Sequence, residues 1–350
     1  MRIIDCDSHF IPPTIFDNVS EQYKELIPKY EFDLNQRISK FICKSDPVKI
    51  NYNQMAPINK HCILPGISSI KHRLEYLDSL GINKQLLGPQ EYTMRFNTSV
   101  EPNLAAEMAH SFNVEIKKIV DSYPDRFFSV AMVALQNMQL ALKEIDWAIE
   151  NNFKAIYIDI IYLDEHDKKC RPLSTIKDIN LLFEKCEKND IIIFAHTAMH
   201  HAKVSRKYSL EYKSIHKNDV LIDKELLIYD LITSGLLDSF PKIKVVIAEV
   251  YDYLIINCYK NLKNQCKNDP LYYFKNNFFI AVDVEKTETL KYMVDEFGSD
   301  RLLFCTDYPH EDPFGSNKFN DVEDLKKSTL PIHDLENIAY KNAEKLFGLN

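Results

Sequence analysis

A chain of 350 residues with 45% hydrophobic content can bury a large core, and a formal net charge of −8 argues against a nucleic-acid or anionic-membrane surface. The lysines are scattered, no apolar run reaches the roughly 18 residues that a membrane span needs, and the eight cysteines include no CxxC pair. These features favour a small-molecule substrate, reduced thiols and a cytoplasmic setting, with a chain that opens on a strand rather than a signal peptide.

The first predicted element is a strand over 2–9. Behind Ile3-Ile4 comes Asp5-Cys6-Asp7-Ser8-His9, and the period of two puts Asp5, Asp7 and His9 on one face, with Ile4 and Cys6 on the other. Three polar side chains on one face of a buried strand are costly unless paired or bound to a cation. From about 12 to 70 the periodicity lapses among prolines 12, 13, 28, 47, 57 and 65, so this stretch reads as an insertion after the first strand that forms a lid.

Beyond it, apolar runs predict strands at 84–89, 127–134, 154–161, 191–196, 244–250, 277–283 and 302–307. Amphipathic stretches alternate with them, among them Leu74, Leu77 and Leu80, then Leu104, Met108, Phe112 and Ile116. Eight such units imply an α/β fold, a single (β/α)₈ TIM barrel forming one domain over 1–350. Shorter insertions at 162–175 and 197–220 would share the face of the first.

The fifth strand closes on His196, and the eighth on Asp307, followed by Tyr308-Pro309-His310. Metal-competent side chains at the carboxyl ends of parallel strands are expected of a barrel site, and with Asp7 and His9 they supply two carboxylates and two imidazoles. Asp5, one layer deeper, reads as a buried anchor, Cys305 as packing, and Cys258 and Cys266 as packing thiols. Arg73, His166, Lys203 and Arg206 read as salt-bridge partners. His200 and His201 are candidate substrate contacts only, because Thr197 stands where a zincin motif needs glutamate. No GxGxxG, GxxxxGK[ST] or GxSxG occurs.

With these residues in order, the chain resembles the amidohydrolase-related family that includes aminocarboxymuconate semialdehyde decarboxylase and the γ-resorcylate type decarboxylases. The phrases that carry the resemblance are IIDCDSHFIPP (3–13), RLEYLDSLGINKQLL (73–87), NVEIKKIVDSYPDRF (113–127), SFPKIKVVIAE (239–249) and GSDRLLFCTDYPHED (298–312), with the strand-end His196. The resemblance implies one divalent metal ion held by Asp7, His9, His196 and Asp307, zinc first and manganese second. It also implies that Asp307 carries a proton, with His310 as its orienting partner. Glu249 stands where the decarboxylases place a histidine, and it would orient water or substrate.

The leading expectation is therefore hydrolysis of a small polar or carboxylate-bearing substrate through a metal-activated water. Non-oxidative decarboxylation of an aromatic or enoic acid is the alternative. A degenerate barrel acting as a binding protein is the reading from another class, against which the presence of all four ligands argues. Relatives of this kind are often homodimers, and the sequence leaves assembly open.

Overall fold

The computed structural model describes residues 1–27, 29–32, 38–42, 65–90, 101–159, 162–163, 170–196, 224–250, 262, 265–284, 287–309 and 320–349. All eight predicted barrel strands are present. They run over Ile4–Asp5 continued by His9–Phe10, Lys84–Pro89, Phe127–Ser129 continued by Ala131–Met132, and Ala155–Asp159. Ile192–His196, Val245–Val250, Phe278–Asp283 and Leu302–Cys305 complete the set.

Each strand pairs in parallel with the next, in registers such as His9 with Gly88, Leu86 with Phe128, Met132 with Tyr157 and His196 with Asp159. The series continues through Ala195 with Ile247, Val246 with Phe279 and Val282 with Phe304. The eighth strand then returns to the first. Cys6 N–H donates to Phe304 O at 2.9 Å, His9 N–H to Tyr308 O at 2.8 Å, and Asp307 N–H to Asp7 O at 3.1 Å. The fold is thus a TIM barrel, α/β with parallel sheets, in which strands buried on both faces read as continuous apolar runs.

Local chemistry sets the ends of the intervening helices. Ser69 caps helix Ile70–Leu80 through its side chain, and Gly81 ends it in the left-handed region at φ 72°, where a residue without Cβ fits best. Asn137 caps Met138–Glu150, and Pro102 opens the long helix Pro102–Ser122 beneath its Glu101 cap. None of the helices among the described residues is long and apolar enough to cross a membrane.

The opening of the predicted 12–70 insertion is pinned to helix Pro102–Ser122. Asn18 Nδ2 donates to Glu115 Oε1 at 2.9 Å, and Ser20 N–H donates to Glu107 Oε2 at 2.7 Å. An antiparallel pair, Lys29–Phe32 with Ile38–Ile42, follows, and residues 43–64 lie outside the described residues. The 162–175 stretch contains a short antiparallel pairing of Tyr162–Leu163 with Cys170–Arg171. The 197–220 insertion, with His200, His201, Lys203 and Arg206, lies outside the described residues, as do His166, Cys258 and His310.

Candidate metal centre

Barrel closure carries the first strand's polar face to the ends of the fifth and eighth strands. Asp7, His9 and His196 are buried, and one ligating atom from each lies within 4.8 Å of the others. Asp307 joins this group through its Oδ1, 2.9 Å from His9 Nε2. On the other side, His196 Nε2 lies 3.7 Å from Asp7 Oδ2 and 3.9 Å from Glu249 Oε2. The imidazoles meet edge to face with centroids 4.9 Å apart, and the Tyr157 ring stacks on His196 at 5.6 Å.

The donor set fits a divalent cation. Asp7 is fully buried, yet neither of its carboxylate oxygens has a hydrogen-bond partner, an expensive arrangement for a carboxylate unless a cation balances it. His9 Nδ1 lies 2.9 Å from the Pro89 carbonyl oxygen. When that nitrogen carries the proton, the Nε2 lone pair faces Asp307 Oδ1, so two acceptors confront each other until a proton or metal ion comes between them. Two oxygens and two nitrogens suit zinc and manganese alike.

Backbone geometry aims the two outer carboxylates. Asp307 sits at φ 52° and Glu249 at φ 54°, in the left-handed region that side chains other than glycine rarely adopt. The sixth-strand ladder shifts register between Ile247 and Val250, which turns Glu249 out of the regular alternation. For a glutamate this conformation is strained, and strain of this kind persists where surrounding structure holds it.

Electrostatics follow from this enclosure. Burial, reinforced by the Asp307, Glu249 and Asp5 charges and opposed by His9, pushes the Asp7 carboxyl well above the usual carboxylate range. Asp307 is raised in the same way, by burial first and then by Glu249, while Lys224 opposes the shift. Side-chain exposure separates two roles: Asp7, His9 and His196 are 0–3% exposed, whereas Glu249 and Asp307 are each 15% exposed. The first three are sealed from solvent, and the last two are partly open to it.

Below the centre, Asp5 is the anchor its depth suggested. It accepts from Gln85 Nε2 at 2.6 Å, Thr306 Oγ1 at 2.6 Å, Thr306 N–H at 3.1 Å and Asp7 N–H at 3.3 Å. One carboxylate thereby ties the first strand to the residue preceding Asp307. Burial pushes its pKa up from 3.8 to about 6 against those hydrogen bonds. Because the folded chain holds this proton more tightly than the unfolded one, the associated stability is complete below about pH 4 and is lost as pH rises through about 6, in total about 3 kcal/mol. Urea titrations of the metal-free protein at pH 4, 5, 6 and 7 should show wild type losing that amount relative to Asp5→Asn. A difference between the two that does not change with pH would contradict this role.

Arg73 departs from its sequence reading. It is fully buried, and among the described residues it meets no carboxylate at ion-pair distance. Instead Nε donates to Gly66 O at 3.0 Å, Nη1 to Ser8 Oγ at 3.1 Å, Gln85 Oε1 at 3.0 Å and Tyr308 O at 3.4 Å, and Nη2 to His9 O. Its guanidinium carbon lies 4.5 Å from the Tyr308 ring centroid, and a Cβ on Gly66 would strike that ring. The planar fork thus staples the closing seam of the barrel beside both His9 and Asp307, a role lysine could not fill. Burial lowers its pKa to about 10, which keeps it charged at neutral pH.

Lys224 was missed by the sequence reading. It lies in the helical stretch described over 224–233, is 2% exposed, and its Nζ contacts both the Glu249 carbonyl oxygen and Glu249 Oε2, the latter at 3.1 Å. Cys305 and Cys6 are buried packing thiols, and Cys266 donates to backbone carbonyls rather than joining a disulfide.

Comparison with known proteins agrees with this architecture. The chain is 24% identical over 293 residues to the γ-resorcylate decarboxylase of Rhizobium radiobacter, covering 79% of this chain and 86% of that one. A shorter match to the γ-resorcylate decarboxylase of Polaromonas sp. (strain JS666), 28% identical over 131 residues, covers 34% of this chain and 39% of that protein. The crystal structure of a dihydroxybenzoic acid decarboxylase from Polaromonas sp. JS666, with bound manganese and the inhibitor 2-nitroresorcinol, superposes with a TM-score of 0.71. That alignment has 17% identity and covers 100% of this chain and 97% of the other. The amidohydrolase family model matches residues 4–250 and 286–349, a span that takes in Asp7, His9, His196, Glu249 and Asp307, and the chain belongs to that family.

Proposed function

We propose that this protein is a metal-dependent carboxy-lyase that removes carbon dioxide from a small aromatic hydroxy acid without oxidation. The observation that carries the proposal is the 293-residue similarity to a γ-resorcylate decarboxylase. The sealed Asp7, His9 and His196 cluster beneath two reachable carboxylates supports it. This reading promotes decarboxylation, the alternative from the sequence, above hydrolysis.

Asp7, His9, His196 and Asp307 would hold the ion, manganese or zinc. That ion supplies a Lewis-acid anchor for a substrate carboxylate and a neighbouring hydroxyl oxygen. Asp307, at the mouth, holds a proton on its carboxyl and delivers it to the ring carbon that bears the carboxylate. As the ring accepts the proton, the bond to the carboxylate breaks, its electron pair restores the ring, and carbon dioxide leaves. Glu249 orients the substrate from the opposite side, and His310 is the proposed partner of Asp307. Residues 1–350 would form one domain, with the 12–70 segment over the mouth.

Hydrolysis stays as a second reading because Glu249, reachable and 3.9 Å from His196, is also placed to take a proton from water. The two are separated by assay. The manganese- or zinc-loaded protein should release carbon dioxide from 2,6-dihydroxybenzoate or a related hydroxybenzoate. Turnover of lactones, amides or esters with no gas from any hydroxybenzoate would overturn the proposal in favour of hydrolysis.

A further inference from the structure

Among the described residues, three carboxylates lie within 4 Å of the two imidazoles of the centre: Asp7, Asp307 and Glu249. With all three ionised a divalent ion balances two of these charges and leaves one over, and with Asp307 holding its proton it balances both that remain. Asp5 does not enter this balance, because it lies a layer below within a network that also contains Arg73, joined to it through Gln85. Beyond the ion, Glu249 is met by Lys224, whose ammonium group lies 3.1 Å from Glu249 Oε2.

Two observations set this contact apart from an ordinary ion pair. Its side chains are 3% and 15% exposed, so solvent screens the pair far less than a surface bridge. The same ammonium also binds the Glu249 carbonyl oxygen, which clamps the strained φ 54° turn that presents the carboxylate to the mouth. Lys224 therefore holds both the position and the charge of Glu249.

We infer that Lys224 is a positioning and charge-compensating residue: it fixes Glu249 at the mouth and offsets the charge of its carboxylate, so that an anionic substrate can enter. The substrate class rests on the proposed carboxy-lyase reading, but the charge balance does not. Without the ammonium, Glu249 adds a negative charge beside the incoming carboxylate and beside the ion. Anion binding then weakens while the cation is held more firmly, a pair of opposite shifts that local structural damage does not produce.

The test measures manganese affinity by titration calorimetry, then binding of 2,6-dihydroxybenzoate and of neutral resorcinol to the manganese-loaded protein. Lys224→Met should bind manganese about tenfold more tightly and dihydroxybenzoate about tenfold more weakly, with resorcinol changed by less than about threefold. Lys224→Arg should restore near-wild-type values, and Lys224→Met/Glu249→Gln, which removes both charges, should recover anion binding even if the single variant folds poorly. Manganese affinity that is unchanged or weaker in a folded Lys224→Met protein would overturn the inference. Failure of wild type to release carbon dioxide would overturn the substrate class alone, because the manganese shift reads the charge balance without any substrate.

Discussion

Replacing Asp7 with asparagine should abolish stoichiometric divalent-metal binding and lower kcat/KM by about 10³-fold or more, while leaving the metal-free protein at least as stable as wild type. The combination is unusual for a buried residue and follows from its surroundings. Asp7 is fully enclosed and neither carboxylate oxygen accepts a hydrogen bond, the setting a cation would stabilise. Burial holds its carboxyl well above the ordinary range, so the metal-free folded chain keeps its proton where the unfolded chain has released it. Stability tied to this group therefore falls as pH rises from about 4, and asparagine, neutral at every pH, removes that loss. Metal at about 100 times its Kd should stabilise wild type by about 2.7 kcal/mol and Asp7→Asn not at all. Elemental analysis with thermal melts in chelator and in manganese checks both parts. One ion per chain retained by the variant would remove Asp7 from the ligand set.

Asp307→Asn should behave differently. Here kcat is expected to fall by about 10²–10⁴-fold, with KM within about threefold of wild type and with metal still bound. The three candidate ligands Asp7, His9 and His196 would remain, and an asparagine carbonyl oxygen could still serve as a fourth. On the proposed reading, the lost function is the proton. Asp307 Oδ1 lies 2.9 Å from His9 Nε2, and with 15% of its side chain exposed it can also reach a substrate carbon. Steady-state kinetics on metal-loaded protein distinguishes the cases: loss through metal release scales with ion content, whereas loss of the proton carrier persists at full occupancy. A variant that regains activity when metal is added in excess would assign Asp307 to metal binding alone.

Much of this was legible in the residues, for a local reason. Strands buried on both faces need continuous apolar runs, and each of the eight predicted runs contains its observed strand within a residue or two. Where prediction and structure differ in detail, polar chemistry intervenes: the predicted 2–9 strand is interrupted at 6–8, where Ser8 turns its hydroxyl to the Leu86 carbonyl and to Arg73. The alternation of Asp5, Asp7 and His9 survives that interruption, since Asp7 and His9 both meet His196 while Asp5 lies beneath them.

Arg73 and Lys224 were not legible in the same way. Both stand on helices, where a basic residue is ordinarily solvated, and the contacts that explain them reach far along the chain, from Arg73 to Tyr308 and from Lys224 to Glu249. Hydrophobic periodicity reports on one element at a time and carries no information about which side chain from another element fills the space beside it.

The amino-acid sequence by itself determined the eight strands, their parallel order and the chemical types gathered at their carboxyl ends, because the period of each element and the requirement to bury its apolar side act over a few residues. Only the tertiary structure decided that the Asp7 carboxylate would be sealed without hydrogen bonds, that Glu249 would turn outward at positive φ, and that two buried cations would brace the seam and the sixth strand's end. Those outcomes depend on burial and on charges brought close by barrel closure, and an electrostatic interaction has no defined strength until the distance and the dielectric around it are set.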